Sequence, residues 1–247
     1  RDGTASCWGG NFSGQLGDGT TTGRLTPVVV SGLIDATDIS GRGVHTCARI
    51  ADGTARCWGA NNNGDLGDGT TTNRLTPVPV SGLVGATLVV SGKFHTCALV
   101  SDGSMRCWGS NFRGQLGNGF TIPSVQPTLV IVSELFNAVA IGMGEDHSCA
   151  LLADGSVECW GGNDLGQLGN DTTSDSSIPT AVTGTGGLFS GHAIAGGAGH
   201  TCASRADGTV SCWGRNSSGQ LGDGTTVEKH NPVVAAGVSN AKAIAVG

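Results

Sequence analysis

Apolar residues in this chain come in short runs of four to six, each closed by Gly, Asp, Asn or Pro. One stretch shows the whole set: Thr76-Pro77-Val78-Pro79-Val80, Ala86-Thr87-Leu88-Val89-Val90, His95-Thr96-Cys97-Ala98-Leu99 and Met105-Arg106-Cys107-Trp108-Gly109. Runs of this length, rich in β-branched residues and bounded by turn formers, predict β-strands. An Asp-Gly pair separates the second kind of run from the third each time, at Asp52-Gly53, Asp102-Gly103, Asp154-Gly155 and Asp207-Gly208, with Asp2-Gly3 at the start. Gly can take the left-handed conformation that closes a three-residue hairpin loop, so these pairs predict tight hairpins.

The pattern is periodic. A Cys-Trp-Gly tripeptide returns at Trp8, Trp58, Trp108, Trp160 and Trp213, at intervals of 50, 50, 52 and 53 residues. A repeat of this size marks a unit that cannot bury its apolar face alone and must stack on a neighbour. Four short strands per unit fit the blade of a β-propeller. The reading is one repeat-built domain over residues 1–247, with units at about 1–39, 40–89, 90–141, 142–194 and 195–247. Composition agrees with an all-β chain, since 44 of 247 residues are Gly and only 13% are charged, which leaves few of the residues that build helices.

A longer third-to-fourth connection also repeats, as Asn11-Phe12-Ser13-Gly14-Gln15-Leu16-Gly17-Asp18-Gly19-Thr20 and its counterparts from Asn61, Asn111, Asn163 and Asn216. Its glycines set the backbone and its Leu is the apolar anchor, which predicts a structured loop. The copies depart most from one another at 120–133 and 171–187.

Eight of the nine cysteines pair by hairpin arithmetic. With a three-residue loop at Ala51-Asp52-Gly53, residues whose numbers sum to 104 face each other, which sets Cys47 against Cys57. The same rule pairs Cys97 with Cys107, Cys149 with Cys159 and Cys202 with Cys212. Counting outward from Ile50 and Thr54, each pair falls on a non-hydrogen-bonded site, where Cα atoms stand about 4.5 Å apart, close enough for a disulfide. Each bridge would contribute roughly 2–3 kcal/mol. Cys7 is left alone. Four disulfides imply an oxidising compartment, so the chain is expected to be secreted, periplasmic or displayed at the cell surface.

The string His-Thr-Cys-Ala, Asp-Gly-Thr, Cys-Trp-Gly and Asn-x-x-Gly-Gln-Leu-Gly-Asp-Gly-Thr resembles the repeat of the regulator of chromosome condensation family over nearly the whole chain. That resemblance implies a β-propeller, usually of seven blades in this family, whereas five periods are visible here. Superposing the units sets Gly247 on Gly92 and Arg1 on Ser101, so the eight positions 93–100 have no counterpart between end and start. The expectation is an excerpt of a longer polypeptide rather than a closed five-bladed ring. Photoreceptive members of the family carry Trp two residues before the repeat His. Here those positions are Gly43, Lys93, Glu145 and Ala198, which disfavours that chemistry.

The histidines His45, His95, His147 and His200 recur once per unit, and a residue repeated at one place per blade is structural rather than catalytic. Each is expected to bond a neighbouring backbone from the start of its strand, and the five tryptophans to pack blade against blade. Asp18-Gly19-Thr20 and its copies offer one carboxylate each, short of a calcium loop. No nucleophile elbow or phosphate loop is present, and the acids Glu134, Glu145, Glu158 and Glu228 occupy unrelated repeat positions. No catalytic residue, metal or cofactor is therefore assigned. A net charge of −6 with 13 Lys and Arg excludes a nucleic-acid stripe, and no apolar run reaches 18 residues, so no membrane span is expected. Sequons stand at Asn11, Asn170 and Asn216, two of them on the repeat Asn itself.

Function is expected where the repeats disagree. Strand parity places the first-to-second turn and the third-to-fourth loop on one face, and the Asp-Gly turn and fourth-to-first connection on the other. The first face carries the variable positions Phe12, Ser13, Asn62, Asn63, Phe112, Arg113, Asp164, Leu165, Ser217 and Ser218, joined by Arg42, Val44, Lys93, Phe94, Glu145, Asp146 and Ala198. Aromatics among mixed charges suit a protein partner, with Phe12, Phe94, Phe112, Arg113, Glu145, Asp146 and Asp164 as the contact set. The family includes an exchange factor for a small nuclear GTPase and a secreted inhibitor of β-lactamase. The disulfide pattern and acidic balance disfavour the nuclear role. The alternative is a surface scaffold or filament subunit that self-assembles.

Overall fold

The computed structural model describes residues 3–184 and 193–247. Asp2, part of the first Asp-Gly pair, and residues 185–187 of the divergent fourth connection lie outside the described residues. The described residues form strands and no helix: β1 (Ser6–Gly9), β2 (Arg24–Val29), β3 (Ala36–Arg42), β4 (His45–Ile50), β5 (Ala55–Gly59), β6 (Arg74–Pro79), β7 (Ala86–Ser91), β8 (His95–Val100), β9 (Met105–Ser110), β10 (Val125–Ile131), β11 (Ala138–Met143), β12 (His147–Leu152), β13 (Val157–Gly161), β14 (Ser176–Ala181), β15 (Ile194–Gly196), β16 (His200–Ser204), β17 (Val210–Gly214) and β18 (Lys229–Val234).

Four antiparallel sheets each take four consecutive strands in chain order, β3–β6, β7–β10, β11–β14 and β15–β18, while β1 and β2 make a sheet of two. The four-stranded up-and-down sheet is the blade of a β-propeller. The chain divides into two compact units, and the first holds β1 to β10. The second holds β11 to β18 together with residues 102–104 and the loop 112–121. Residues 241–247, which align with a first strand, carry no strand, although Ala241 N donates to Gly208 O as Ala86 N does to Gly53 O.

The hairpin arithmetic holds. Cys47 faces Cys57, Cys97 faces Cys107, Cys149 faces Cys159 and Cys202 faces Cys212. Each pair is a disulfide with its Cα atoms 4.1 Å apart. Cys7 is free. In the first of these hairpins Ile50 N donates to Thr54 O at 2.9 Å, and Gly53 N donates back to Ile50 O from a φ of 81°, the conformation that required Gly. The Asp beside it accepts from the backbone and hydroxyl of the residue two further on, at 2.8 and 2.7 Å for Asp52 and Thr54.

The core is divided among the repeats. In the first unit, Val30 and Leu33 of one repeat cluster with Ala48, Ile50 and Trp58 of the next. Cys47, Ala55, Cys57, Leu66, Val80 and Leu83 then cluster with Ala86, Val89, Ala98 and Trp108. In the second unit Cys149, Leu151, Val157, Cys159, Leu168 and Val182 meet Ile194, Ala203 and Trp213 in the same way. Each cluster joins one sheet to its successor, which is why a single repeat cannot bury its own apolar face.

Candidate functional site

The loop between third and fourth strands is built on its asparagine. Asn11 Oδ1 accepts from Leu16 N at 2.9 Å, and Asn11 Nδ2 donates to Thr20 O at 2.9 Å and Thr22 O at 3.2 Å. Asn61, Asn163 and Asn216 do the same in their own loops. Asn11 and Asn216 are fully buried, so these two sequons present no amide to solvent in the folded chain. Asp18 accepts from the Thr20 hydroxyl at 2.7 Å and pairs with Arg24 at 2.7 Å. The Thr20 hydroxyl first, and then Arg24, hold its carboxyl down to about 2. Its oxygens brace the loop rather than face outward as cation ligands.

Each loop covers the tryptophan of the following repeat. Trp58 Nε1 donates to Gln15 O at 3.0 Å and Trp108 Nε1 to Asp65 O at 2.9 Å. In the second unit Trp160 donates to Gln115 O and Trp213 to Gln167 O, at 3.0 and 2.9 Å. The same carbonyls accept the hydroxyls of Thr46, Thr96, Ser148 and Thr201. The glycine after the loop leucine makes the approach possible: a Cβ on Gly67 would stand 2.8 Å from Trp108 Nε1. Trp58, Trp108, Trp160 and Trp213 are 0% exposed, and Trp8 is 63% exposed.

Two of the repeat histidines reach a side chain of the next repeat, where a backbone partner was expected. His45 Nε2 lies 2.9 Å from Thr96 Oγ1 in the next repeat, and His147 Nε2 lies 2.9 Å from Thr201 Oγ1. Those hydroxyls already donate to loop carbonyls, so each accepts from an Nε2–H imidazole. A side-chain partner one repeat away was invisible to strand-level reasoning because it depends on how sheets stack. Burial holds His45 down to about 4 and therefore neutral.

One loop breaks the repeat. Where Gln15, Gln115, Gln167 and Gln220 accept a backbone N–H two residues earlier at 2.8–2.9 Å, Asp65 does so at 3.3 Å. Its Oδ1 is buried without a hydrogen bond. Burial pushes its carboxyl up to about 7.

Backbone bonds confirm the strand-parity argument within each repeat. Residues after the Cys-Trp-Gly strand donate to the first-to-second turn, Ala60 N to Val44 O and Ser110 N to Phe94 O, and in the second unit Gly162 N to Asp146 O. Phe12, in the first unit, is 92% exposed, and Phe112, in the second, is 62% exposed. Phe94 is half-buried, with Lys93 Nζ 4.9 Å from its ring centroid. Glu145 and Asp146 are half-buried and Asp164 is exposed. Arg113 is engaged within the chain: it pairs with Asp164 at 2.7 Å and Asp175 at 2.6 Å, and these carboxylates, Asp175 foremost, raise its pKa. Phe120 and Ile122, on the divergent third loop, add exposed apolar surface that sequence reasoning passed over. So do Ile34, Val84 and Phe136 beside the Asp-Gly turns, each following a buried leucine at Leu33, Leu83 and Leu135. That buried-then-exposed apolar pair was the available signal. Among the described residues no cluster of three or more His, Cys, Asp or Glu side chains could hold a metal, and no helix is long and apolar enough to cross a membrane.

The comparisons with known proteins agree with the architecture. Arabidopsis thaliana ultraviolet-B receptor UVR8 is 36% identical over 92 residues, 37% of this chain and 21% of that protein. Human E3 ubiquitin-protein ligase HERC2 is 34% identical over 128 residues, 50% of this chain and 3% of that protein. Among solved structures, Prp20p from Saccharomyces cerevisiae superposes with a TM-score of 0.81 at 22% identity, covering 94% of this chain and 59% of that one. The same yeast RCC1 protein bound to Kap60 gives 0.82 at 21%, covering 94% and 57%. The chain thus spans less than two thirds of each of these relatives. The sequence model described as "Regulator of chromosome condensation (RCC1) repeat" matches residues 2–49, 52–99, 102–151, 154–204 and 207–247, so the chain belongs to the RCC1 repeat family of β-propeller proteins.

Proposed function

We propose that this chain is a non-enzymatic module that binds another protein through the face carrying the third-to-fourth loops, and that it works outside the cytoplasm. The observation that carries the first part is the contrast within each loop. The Asn and Leu positions are buried and hydrogen-bonded in copy after copy, while the tip presents Phe12 and Phe112 to solvent. A rigid base under an exposed aromatic is the arrangement of an interface anchor. The solved relative Prp20p is described by its binding to Gsp1p and histones, and another structure shows it bound to Kap60, which supports a protein partner as the class. Four disulfides support the compartment. Neither nucleic acid nor a cofactor has a place in this reading.

Two measurements test it. Phe12→Ala with Phe112→Ala should reduce capture of a specific protein from the extracytoplasmic fraction of its own cells while leaving the melting temperature unchanged; equal capture by the variant retires this face. Alkylation of the native protein in denaturant without reductant should label one thiol of nine, and labelling of all nine would overturn the compartment.

A further inference from the structure

One loop of the first unit carries an acid where the other loops carry a neutral amide. Gln15, Gln115, Gln167 and Gln220 stand at the position that Asp65 holds in the second repeat. The shorter side chain does not fill the place of the longer one: its Oδ2 accepts from Asn63 N at 3.3 Å and from Asn63 Nδ2 at 3.5 Å, while its Oδ1 is buried without a hydrogen bond among the described residues. Asp65 as a whole is 3% exposed. Its backbone carbonyl is also the joint to the third repeat, because Trp108 Nε1 and the Thr96 hydroxyl both donate to it at 2.9 Å. That hydroxyl in turn accepts from His45 Nε2 at 2.9 Å. A carboxyl that can titrate and the carbonyl that fastens the next repeat therefore belong to one residue, and every group named here lies in the first unit except the three later glutamines.

The elements packed around this loop bring few charged or titratable side chains. β8 contributes His95 at its start, and Lys93 stands in the turn before it with Nζ 4.9 Å from the Phe94 ring centroid. β9 contributes Arg106, which donates to Met105 O, and β4 contributes Arg49 and the His45 imidazole, held neutral by burial. Within the loop Asp68 is paired with Arg74 at 2.7 Å. β10, where Gly64 packs on Pro127, has no titratable side chain. Burial, outweighing the bonds from Asn63 and from its own backbone, pushes the Asp65 carboxyl up to about 7. A carboxylate in this place would be a buried charge with long, weak donors, a state relieved by carrying the group to water. The chain is jointed for that movement, since Gly64 and Gly67, at φ of 78° and 66°, bracket Asp65 and Leu66.

We propose that Asp65 is a pH-operated latch between the second and third repeats: protonated, it keeps its loop shut on Trp108, and ionised, it draws the loop away. As the carboxylate moves to water, the Asp65 carbonyl leaves Trp108 Nε1 and the Thr96 hydroxyl together, and that hydroxyl then loses the orientation in which it accepts from His45. The direction follows from linkage. A carboxyl whose shut-state value lies above the ordinary 3.8 favours the shut loop in full below 3.8, and that preference is lost as pH climbs through 7. Loops built on Gln have no such proton, so the first-repeat loop over Trp58 stays shut across the same range. The variable tip residues Asn62 and Asn63 ride on the moving segment. Control of partner binding by the latch rests on the loop-face reading proposed above, whereas the latch itself does not.

The test is hydrogen exchange on the whole chain, read by mass spectrometry at pH 5.5, 7 and 8 after correction for intrinsic rates. Residues 61–68 hold the amides of Gly64, Leu66 and Gly67 in hydrogen bonds within the loop. Their protection should fall by about tenfold or more from pH 5.5 to 8, as expected for a carboxyl at about 7 when shut and 3.8 when open. Residues 11–18, bonded alike through Gly14, Leu16 and Gly17, are the internal control and should hold steady. Asp65→Asn keeps the size of the side chain without its proton and should make the two segments respond alike. Asp65→Gln, which restores the side chain of the other loops, should do the same and serves if the first variant does not fold. No fall in 61–68, an equal fall in 11–18, or a fall that survives substitution overturns the latch. The readout involves no partner, so its failure leaves the loop-face reading standing, and failure of that reading leaves the latch.

Discussion

Trp8 and Trp58 occupy the same Cys-Trp-Gly setting in consecutive repeats, and their surroundings differ by one loop and one strand. Trp58 lies under the loop that carries Gly17, bonds Gln15 O and is sealed from water, whereas Trp8 is 63% exposed. Cys57 is bridged and Cys7 is free. Burial in this fold is thus supplied by the neighbouring repeat. A motif that looks like core in isolation becomes core only when the preceding unit covers it and the hairpin beside it is complete.

The comparison breaks most sharply at the tryptophans. Trp108→Ala removes a fully enclosed ring and its hydrogen bond and should cost about 3–5 kcal/mol in urea unfolding, whereas Trp8→Ala should change stability by no more than about 0.5 kcal/mol. Equal losses would mean that the two sheets are equivalent in solution. Next in size are the bridges: replacing Cys97 and Cys107 together by Ser should cost about 2–3 kcal/mol, from the denatured-state loop they close, while Cys7→Ser should be close to neutral by the same measurement.

Asp65→Gln sharpens the comparison among loops. The carboxyl of Asp65 is raised from 3.8 to about 7 by burial, so its contribution is present below 3.8 and is lost as pH climbs through 7. Glutamine restores the side chain of the other loops and should stabilise by about 1–3 kcal/mol at pH 8 and by much less at pH 4. His45 works in the opposite sense. Its folded value of about 4 lies below the ordinary 6.5, so stability from the neutral ring is intact above 6.5 and drains away as pH falls toward 4. The two slopes oppose each other in the native chain, and the variant should therefore show a steeper acid limb in denaturation curves taken at pH 4, 6 and 8. A pH-independent gain would contradict the buried charge. The smallest effect separates two threonines: Thr96→Val, which abandons both His45 and Asp65 O, should cost about 1–2 kcal/mol, and Thr46→Val, which leaves only Gln15 O, about half of that.

Much of this was legible before any coordinates. The strands around His95, Met105 and Ala86, the Asp-Gly hairpins and all four cysteine pairs follow from period-two geometry and from loops of fixed length, which are local. The asparagine loops were recognisable as structured, yet the reason was hidden, because Asn11 Nδ2 reaches Thr20 and Thr22 through a fold of the chain that no strand pattern describes. Arg113 illustrates the limit at the candidate face. It read as a free contact residue, and its pairing with Asp164 and Asp175 arises only when two successive loops come side by side.

The sequence by itself determined the blade: which residues extend, where they turn, and which cysteines meet, since each of those depends on neighbours within about a dozen positions. Tertiary structure alone decided what covers what. The imidazole-to-threonine bonds and the carbonyl shared by tryptophan and hydroxyl depend on contact across some thirty to fifty residues, where burial and hydrogen bonding are set by the adjoining repeat rather than by the residue's own strand.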